Sequence, residues 1–226
     1  MLFRSVPVQL FDLTKAVADG ALSKLMKMSP APFFVPENAA LISTGGFDDL
    51  SGLAGADWII EAVIERLDIK QALYAKLDTV RKSGSVVSSN TSTIPLQDLV
   101  ATMPATFRSD FMITHFFNPP RYMRLLELVT GDETDAEAAE TVREFCDRML
   151  GKGVVDCKDT PGFIGNRIGC FWMLAGLHKG RAARAEGLGI ETLDALMSAP
   201  VGLPPTGLYG LIDLVGLDVK IGRAHV

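Results

Sequence analysis

At 226 residues, with 48% hydrophobic and 22% charged side chains, the chain can bury the core of one large globular domain or two small ones. Its net charge of −5 is mild and not gathered into blocks, which argues against nucleic acid as the main partner. No apolar run is long enough to span a bilayer, and the start lacks the layout of a signal peptide, so a cytoplasmic protein is expected.

Residues 1–5 and 221–226 read as adapter sequence from a sequencing library. Both ends are therefore left out of the fold, and the chain is expected to be a piece of a longer protein. Residues 8–13 predict a short strand with an acid, Asp12, near its end. Residues 16–28 predict a helix, with Leu22, Leu25 and Met26 at helical spacing, that stops at Ser29-Pro30. A proline-rich connection leads to a small strand at 40–44, before Gly45-Gly46. Residues 58–63 form a near-continuous apolar run, as in a strand covered on both faces. An amphipathic helix follows over 67–80, with Ile69, Leu73 and Leu77 on one face. A strand at 85–88 runs into the polar knot Ser89-Asn-Thr-Ser-Thr93. Then come a short helix at 94–103, strands at 111–116 and 125–129, a helix at 135–150 and a strand at 154–157.

Strands alternating with helices predict a doubly wound, mostly parallel α/β domain. After Asp159-Thr-Pro-Gly162 the character changes. One long helix is expected over 163–186, with Thr160 before Pro161 suiting its start, and another over 190–197. A boundary near Lys158 divides an α/β domain over 6–158 from a helical one over 159–220. Cys146, Cys157 and Cys170 lie far apart and read as reduced structural thiols.

Four places could carry chemistry. Asp12 suits the acid that accepts hydrogen bonds from an adenosine ribose in a dinucleotide-binding unit, or a solvated turn residue. The strand, G-x-G-x-x-G turn and helix that should precede it do not occur, and Gly151-Lys-Gly153 lies in the wrong context, after a helix. Glu65 and Lys70 could flank a cofactor at a strand end, or be a strand-end acid and a helix-surface lysine. The hydroxyls and amide of 89–93 could bind a ligand, or Ser92 or Thr93 could cap the next helix. His115 ends an apolar strand, Asn118 follows in a proline-containing turn, and Glu127 lies on the next strand. That spacing permits His115 and Glu127 to stand side by side, where the carboxylate would fix the imidazole tautomer and leave the second ring nitrogen to act as a base. A structural His–Glu pair is the alternative, and His178 reads as an ordinary helix residue.

Ile60-Glu-Ala-Val-Ile-Glu65, Ser89-Asn-Thr-Ser92, His115-Phe-Phe-Asn-Pro119, Leu125-Leu-Glu127 and Lys158-Asp-Thr-Pro-Gly-Phe-Ile-Gly-Asn-Arg167 together resemble the 3-hydroxyacyl-CoA dehydrogenase family, in order and in spacing. The resemblance runs from Val6 to Lys220, and the stretch from Met26 to Thr44 is most similar to bacterial long-chain forms that also bear an enoyl-CoA hydratase domain. It implies a Rossmann-like sheet lacking its first strand, which would leave a slot in the sheet, followed by an incomplete helical domain.

The resemblance also implies NAD-dependent oxidation of (S)-3-hydroxyacyl-CoA in fatty acid β-oxidation. His115 would be the general base and Glu127 its orienting carboxylate. Ser92 and Asn166 would hydrogen-bond the substrate oxygen, and Asn118 would line the same site. Asp12, Glu65 and Lys70 would lie along the cofactor. No metal is needed for such chemistry, and the parent enzyme would be a homodimer or part of a multifunctional β-oxidation protein. The alternatives are a hydroxy-acid dehydrogenase of the same fold and a non-catalytic acyl-CoA-binding relative.

Overall fold

The computed structural model describes residues 6–33, 35–203 and 205–215, so the two ends read as adapter sequence lie outside the described residues. The apolar segment at the start forms β1 (Val8–Asp12), which pairs in parallel with β2 (Ile42–Gly46) and sets Asp12 opposite Gly46. Between them runs α1 (Lys15–Lys27), whose first turn is closed by the Thr14 hydroxyl accepting from the Val17 amide at 3.3 Å.

A second sheet is laid out in the order β3 (Trp58–Glu61), β4 (Val86–Ser89), β5 (Phe111–Phe116), β6 (Leu125–Val129), β7 (Gly153–Cys157). The first three are mutually parallel, as a strand–helix–strand alternation requires, whereas β6 runs antiparallel to β5. The two ladders are separate, so the sheet is divided, as expected of an order with a slot in it.

This division explains one departure. The run at 58–63 was expected to be covered on both faces, but β3 is the edge strand of its sheet and Ile60 is 46% exposed. β4 is buried throughout, and β5 along its first five residues, which makes these two strands the centre of the core. Val86, Met112, Leu126, Leu128, Val142 and Cys146 pack into one apolar cluster, with Trp58 and Phe116 against it. Tyr74, Phe107 and Phe111 form another, with ring centroids 5.3–5.7 Å apart. Each such side chain removed from water contributes about 1.5–3 kcal/mol.

Helix α2 (Leu67–Val80) has the expected bounds but not the expected face. It buries Lys70, Tyr74 and Leu77, so Leu77 keeps its expected place while Lys70 and Tyr74 stand in for Ile69 and Leu73. The reason is polar: the Lys70 ammonium and the Tyr74 hydroxyl have partners inside, so they displace an apolar residue from the buried stripe. The segment expected as one helix at 94–103 is α3 (Leu96–Val100), followed by a separate α4 (Ala105–Ser109) behind Pro104. Neither Ser92 nor Thr93 caps α3, whose N-cap is Pro95. Thr91 instead accepts the amides of Thr93 and Ile94 at 3.3 and 3.2 Å and folds the loop on itself. Helix α5 (Ala136–Glu144) is capped by Asp135, which accepts from Glu137 and Ala138, and continues as a π-helical turn over Phe145–Met149.

The chain divides into two compact units between Asp156 and Cys157. The second holds α6 (Gly165–Ala185), α7 (Ile190–Leu196) and α8 (Gly207–Val215). Thr160 does not start α6, whose N-cap is Ile164. Helix α8 has no counterpart in the sequence expectations. Its first turn is held by Asp194 of α7, which accepts the Tyr209 and Gly210 amides at 2.6 and 2.9 Å. Gly207 is needed there: its φ is +67°, and a Cβ would stand 2.6 Å from that of Asp194. Gly176 likewise lets α6 approach α8, since a Cβ would meet Leu208 at 2.8 Å. Among the described residues no helix is long and apolar enough to cross a membrane.

Candidate active site

The antiparallel register of β5 and β6 pairs Ile113 with Val129, Thr114 with Leu128, His115 with Glu127 and Phe116 with Leu126. Directly paired residues point to the same face of a sheet, so this register alone brings imidazole and carboxylate together. His115 Nδ1 lies 2.7 Å from Glu127 Oε2, with the two residues 6% and 1% exposed. A carboxylate at Nδ1 favours the tautomer that donates there, so Nε2 is the nitrogen that can accept a proton. The Phe117 ring stands against the imidazole, centroid to centroid 4.5 Å, and limits its rotation.

The neighbouring strand ends are tied to this pair. Asn90, just beyond β4, accepts the Phe116 amide on its side-chain oxygen at 2.8 Å and donates its own amide to the Glu61 carbonyl at 2.8 Å. It therefore links the ends of β3, β4 and β5. The signal for Asn90 was present in the run of small polar residues after β4, which capping could not account for. Thr114 and Ser88 share a hydrogen bond at 2.8 Å, and the Trp58 indole donates to Ser88 at 2.9 Å.

Glu61 closes the C-terminal end of β3. Its carboxylate accepts from Lys70 Nζ at 2.7 Å, the Val63 amide at 2.6 Å, the Tyr74 hydroxyl at 2.6 Å and Ser89 Oγ at 2.7 Å. Lys70 is 1% exposed, which overturns the alternative of a helix-surface lysine. Its ammonium also lies 3.4 Å from Glu65 Oε2. Glu65, with a side chain 39% exposed, is the outward member of this chain of charges. It accepts from the Thr91 and Thr93 hydroxyls, the latter at 2.7 Å, and from the Ser92 amide at 3.4 Å. Burial pushes the Glu65 carboxyl up, but the Thr91 and Thr93 hydroxyls and the Lys70 charge outweigh it and hold the group below the usual carboxylate range. Burial, helped by the Glu61 charge, pushes the Tyr74 phenol far up and keeps it a hydrogen-bond donor.

The structure thus brings Glu65, Lys70 and the Ser92 backbone together at the ends of β3 and β4, and His115 and Glu127 together on β5 and β6. Asp12 lies apart from both groups in sheet terms, at the end of β1, where its carboxylate accepts the Leu13 amide at 2.7 Å. Asn118 is exposed on the turn between β5 and β6. Asn166 is the second residue of α6, in the second unit, and its side-chain nitrogen is buried without a hydrogen-bond partner. Such a donor costs free energy unless something else accepts from it.

A divided but mostly parallel sheet wound with helices, carrying a buried His–Glu pair at a strand end, defines an α/β protein with a candidate acid–base site. Residues 2–160 match the family model for the 3-hydroxyacyl-CoA dehydrogenase NAD binding domain, and residues 162–225 match that for the C-terminal domain. The chain belongs to the 3-hydroxyacyl-CoA dehydrogenase family. It is 41% identical over 204 residues to a Rickettsia prowazekii protein assigned as a fatty acid oxidation complex trifunctional enzyme, covering 90% of this chain and 28% of that one. It is 35% identical over 189 residues to the mouse mitochondrial hydroxyacyl-coenzyme A dehydrogenase, covering 82% of this chain and 56% of that one. The crystal structure of Escherichia coli 3-hydroxybutyryl-CoA dehydrogenase superposes with a TM-score of 0.80 at 30% identity, over 96% of this chain and 46% of the other. The chain therefore spans about a quarter to a little over half of these relatives' length.

Proposed function

We propose that the protein oxidises (S)-3-hydroxyacyl-CoA to 3-oxoacyl-CoA with NAD, the dehydrogenase step of fatty acid β-oxidation. The observation that carries this reading is the buried His115–Glu127 pair, 2.7 Å apart on adjacent strands of a chain of this family. Oxidising a secondary alcohol removes a proton from oxygen and a hydride from carbon. His115 takes the proton of the 3-hydroxyl on Nε2, and Glu127 balances the imidazolium charge and holds the ring in place. NAD, when bound, accepts the hydride from C3.

Ser92 hydrogen-bonds the substrate oxygen and Asn118 lines the same site, and the resemblance to the family gives Asn166 a substrate-binding role as well. The orphaned amide nitrogen of Asn166 suits that role, because a substrate oxygen would supply the acceptor it lacks. The residues present also fit the cofactor. Asp12 ends its strand where an acid meets the adenosine ribose. Glu65 offers the open carboxylate of its network, and buried Lys70 serves the cofactor side by holding Glu65. We place the protein in the cytoplasm, as a homodimer or one part of a multifunctional β-oxidation protein; the name of the Rickettsia relative supports the latter.

The test is His115→Gln in the natural polypeptide that carries this sequence. Loss of a positioned general base lowers turnover by about two to four orders of magnitude. A fold unchanged by circular dichroism with that loss of kcat on 3-hydroxyacyl-CoA supports the reading. An unchanged kcat removes His115 from the reaction.

A further inference from the structure

Gly151-Lys-Gly153, set aside by sequence as lacking a phosphate-loop context, holds a buried cation with no role in the chemistry above. Lys152 is 8% exposed and precedes β7 directly. Its backbone amide donates to the Cys146 carbonyl at 2.9 Å, and the next amide, that of Gly153, donates to the Arg124 carbonyl at 2.8 Å. Both ends of the residue are therefore anchored.

The ammonium reaches across to the turn between β5 and β6. It donates to the carbonyls of Pro120 and Met123, the latter at 2.9 Å, and stands 5.6 Å from the Phe116 ring centroid. That turn runs over residues 117–124 and carries Asn118. Residues 118–124 are exposed, and within the turn the Tyr122 and Met123 amides both return to the Pro119 carbonyl, at 3.0 and 3.1 Å.

Burying a lysine to satisfy two carbonyls is costly, and the cost is visible: burial pulls the Lys152 ammonium below the ordinary lysine range, with the nearby Cys146 thiol opposing only in part. A methionine would fill the same space without that cost. What it could not do is pin the turn.

We propose that Lys152 is a positioning residue that staples the 117–124 turn against β6 and β7 and thereby fixes the place of Asn118, three residues after His115. The functional half rests on the reading that Asn118 lines the substrate site, whereas the staple itself does not. Hydrogen–deuterium exchange on the full chain separates the two. In Lys152→Met, amide exchange over residues 121–124 rises about tenfold or more, as loss of a charged hydrogen bond implies, while β4, β5 and α2 keep their protection. Lys152→Arg, which keeps a charged donor, stays near the native rates. Should Lys152→Met not fold, Lys152→Gln, too short to span both carbonyls, takes its place in the comparison with Lys152→Arg.

Unchanged exchange in the turn, or a rise spread evenly over the whole first unit, overturns the staple. In the natural enzyme the same variant raises KM for 3-hydroxyacyl-CoA several-fold and leaves KM for NAD unmoved. Exchange that loosens the turn without that KM split keeps the staple and overturns its link to the substrate.

Discussion

Lys70 Nζ donates to Glu61 Oε1 at 2.7 Å with the two side chains 1% and 0% exposed, so an ion pair lies sealed beneath the more open carboxylate of Glu65. Removing one partner of such a pair leaves an uncompensated buried charge, which costs about 3–5 kcal/mol, whereas replacing both with apolar residues of similar volume is far milder. Lys70→Met and Glu61→Leu are each expected to lower the denaturant midpoint strongly, and the double variant to recover only part of the loss, because the Tyr74 and Ser89 hydroxyls and the Val63 amide lose their acceptor with Glu61. A double-variant loss equal to the sum of the two single losses would show that the pair is not coupled.

Glu65 makes stability depend on pH at the acid end. Its carboxyl is held below the usual value of 4.5 in the folded chain, so the folded state binds fewer protons than the unfolded one in that window. The contribution is fully present above pH 4.5 and is lost as pH falls through the lowered folded value. Acid titration of Glu65→Gln should therefore give a shallower stability slope below pH 4.5 than the native chain. Superposable slopes would remove Glu65 from the acid response.

Cys146 should be an inert thiol. Burial pushes it up from 9.0 to about 11, with Lys152 pulling weakly the other way. At pH 8 the thiolate fraction falls about a hundredfold relative to an ordinary thiol, before burial limits access as well. Native labelling with iodoacetamide, read by mass spectrometry, is expected at the partly exposed Cys157 and Cys170 and not at Cys146. Rapid labelling of Cys146 would contradict its place in the core cluster.

Cofactor affinity provides a further check. The sequence has no G-x-G-x-x-G turn, and backbone amides of that turn are what grip a pyrophosphate at a helix N-terminus. A polypeptide of residues 1–226 is expected to bind NAD weakly. Calorimetry giving a micromolar Kd would mean that Asp12, Glu65 and Lys70 suffice without those amides.

Much of the first unit is readable in the chain because its signals are local. Phe111–Phe116, Leu125–Val129 and Leu67–Val80 form elements with the expected bounds, since runs of apolar residues bounded by turn formers specify strands and helices within a few residues. The spacing from His115 to Glu127 is likewise a local matter: one turn and two short strands set the register. Motif order alone points to the family. The capping expectations failed for Ser92, Thr93 and Thr160, because a hydroxyl near a helix start has several backbone amides in reach and only the folded loop selects among them.

By itself, then, the chain of residues determined the alternation of elements, the pairing of imidazole with carboxylate and the family motifs, all of which follow from spacing along a strand or helix. Only the tertiary structure decided which charges go inside. Lys70, Glu61 and Lys152 would each be solvated in an isolated helix, strand or turn. They are buried because partners from distant segments (Tyr74 and Ser89 for Glu61, the Pro120 and Met123 carbonyls for Lys152) converge to satisfy them, and such convergence has no period in the sequence.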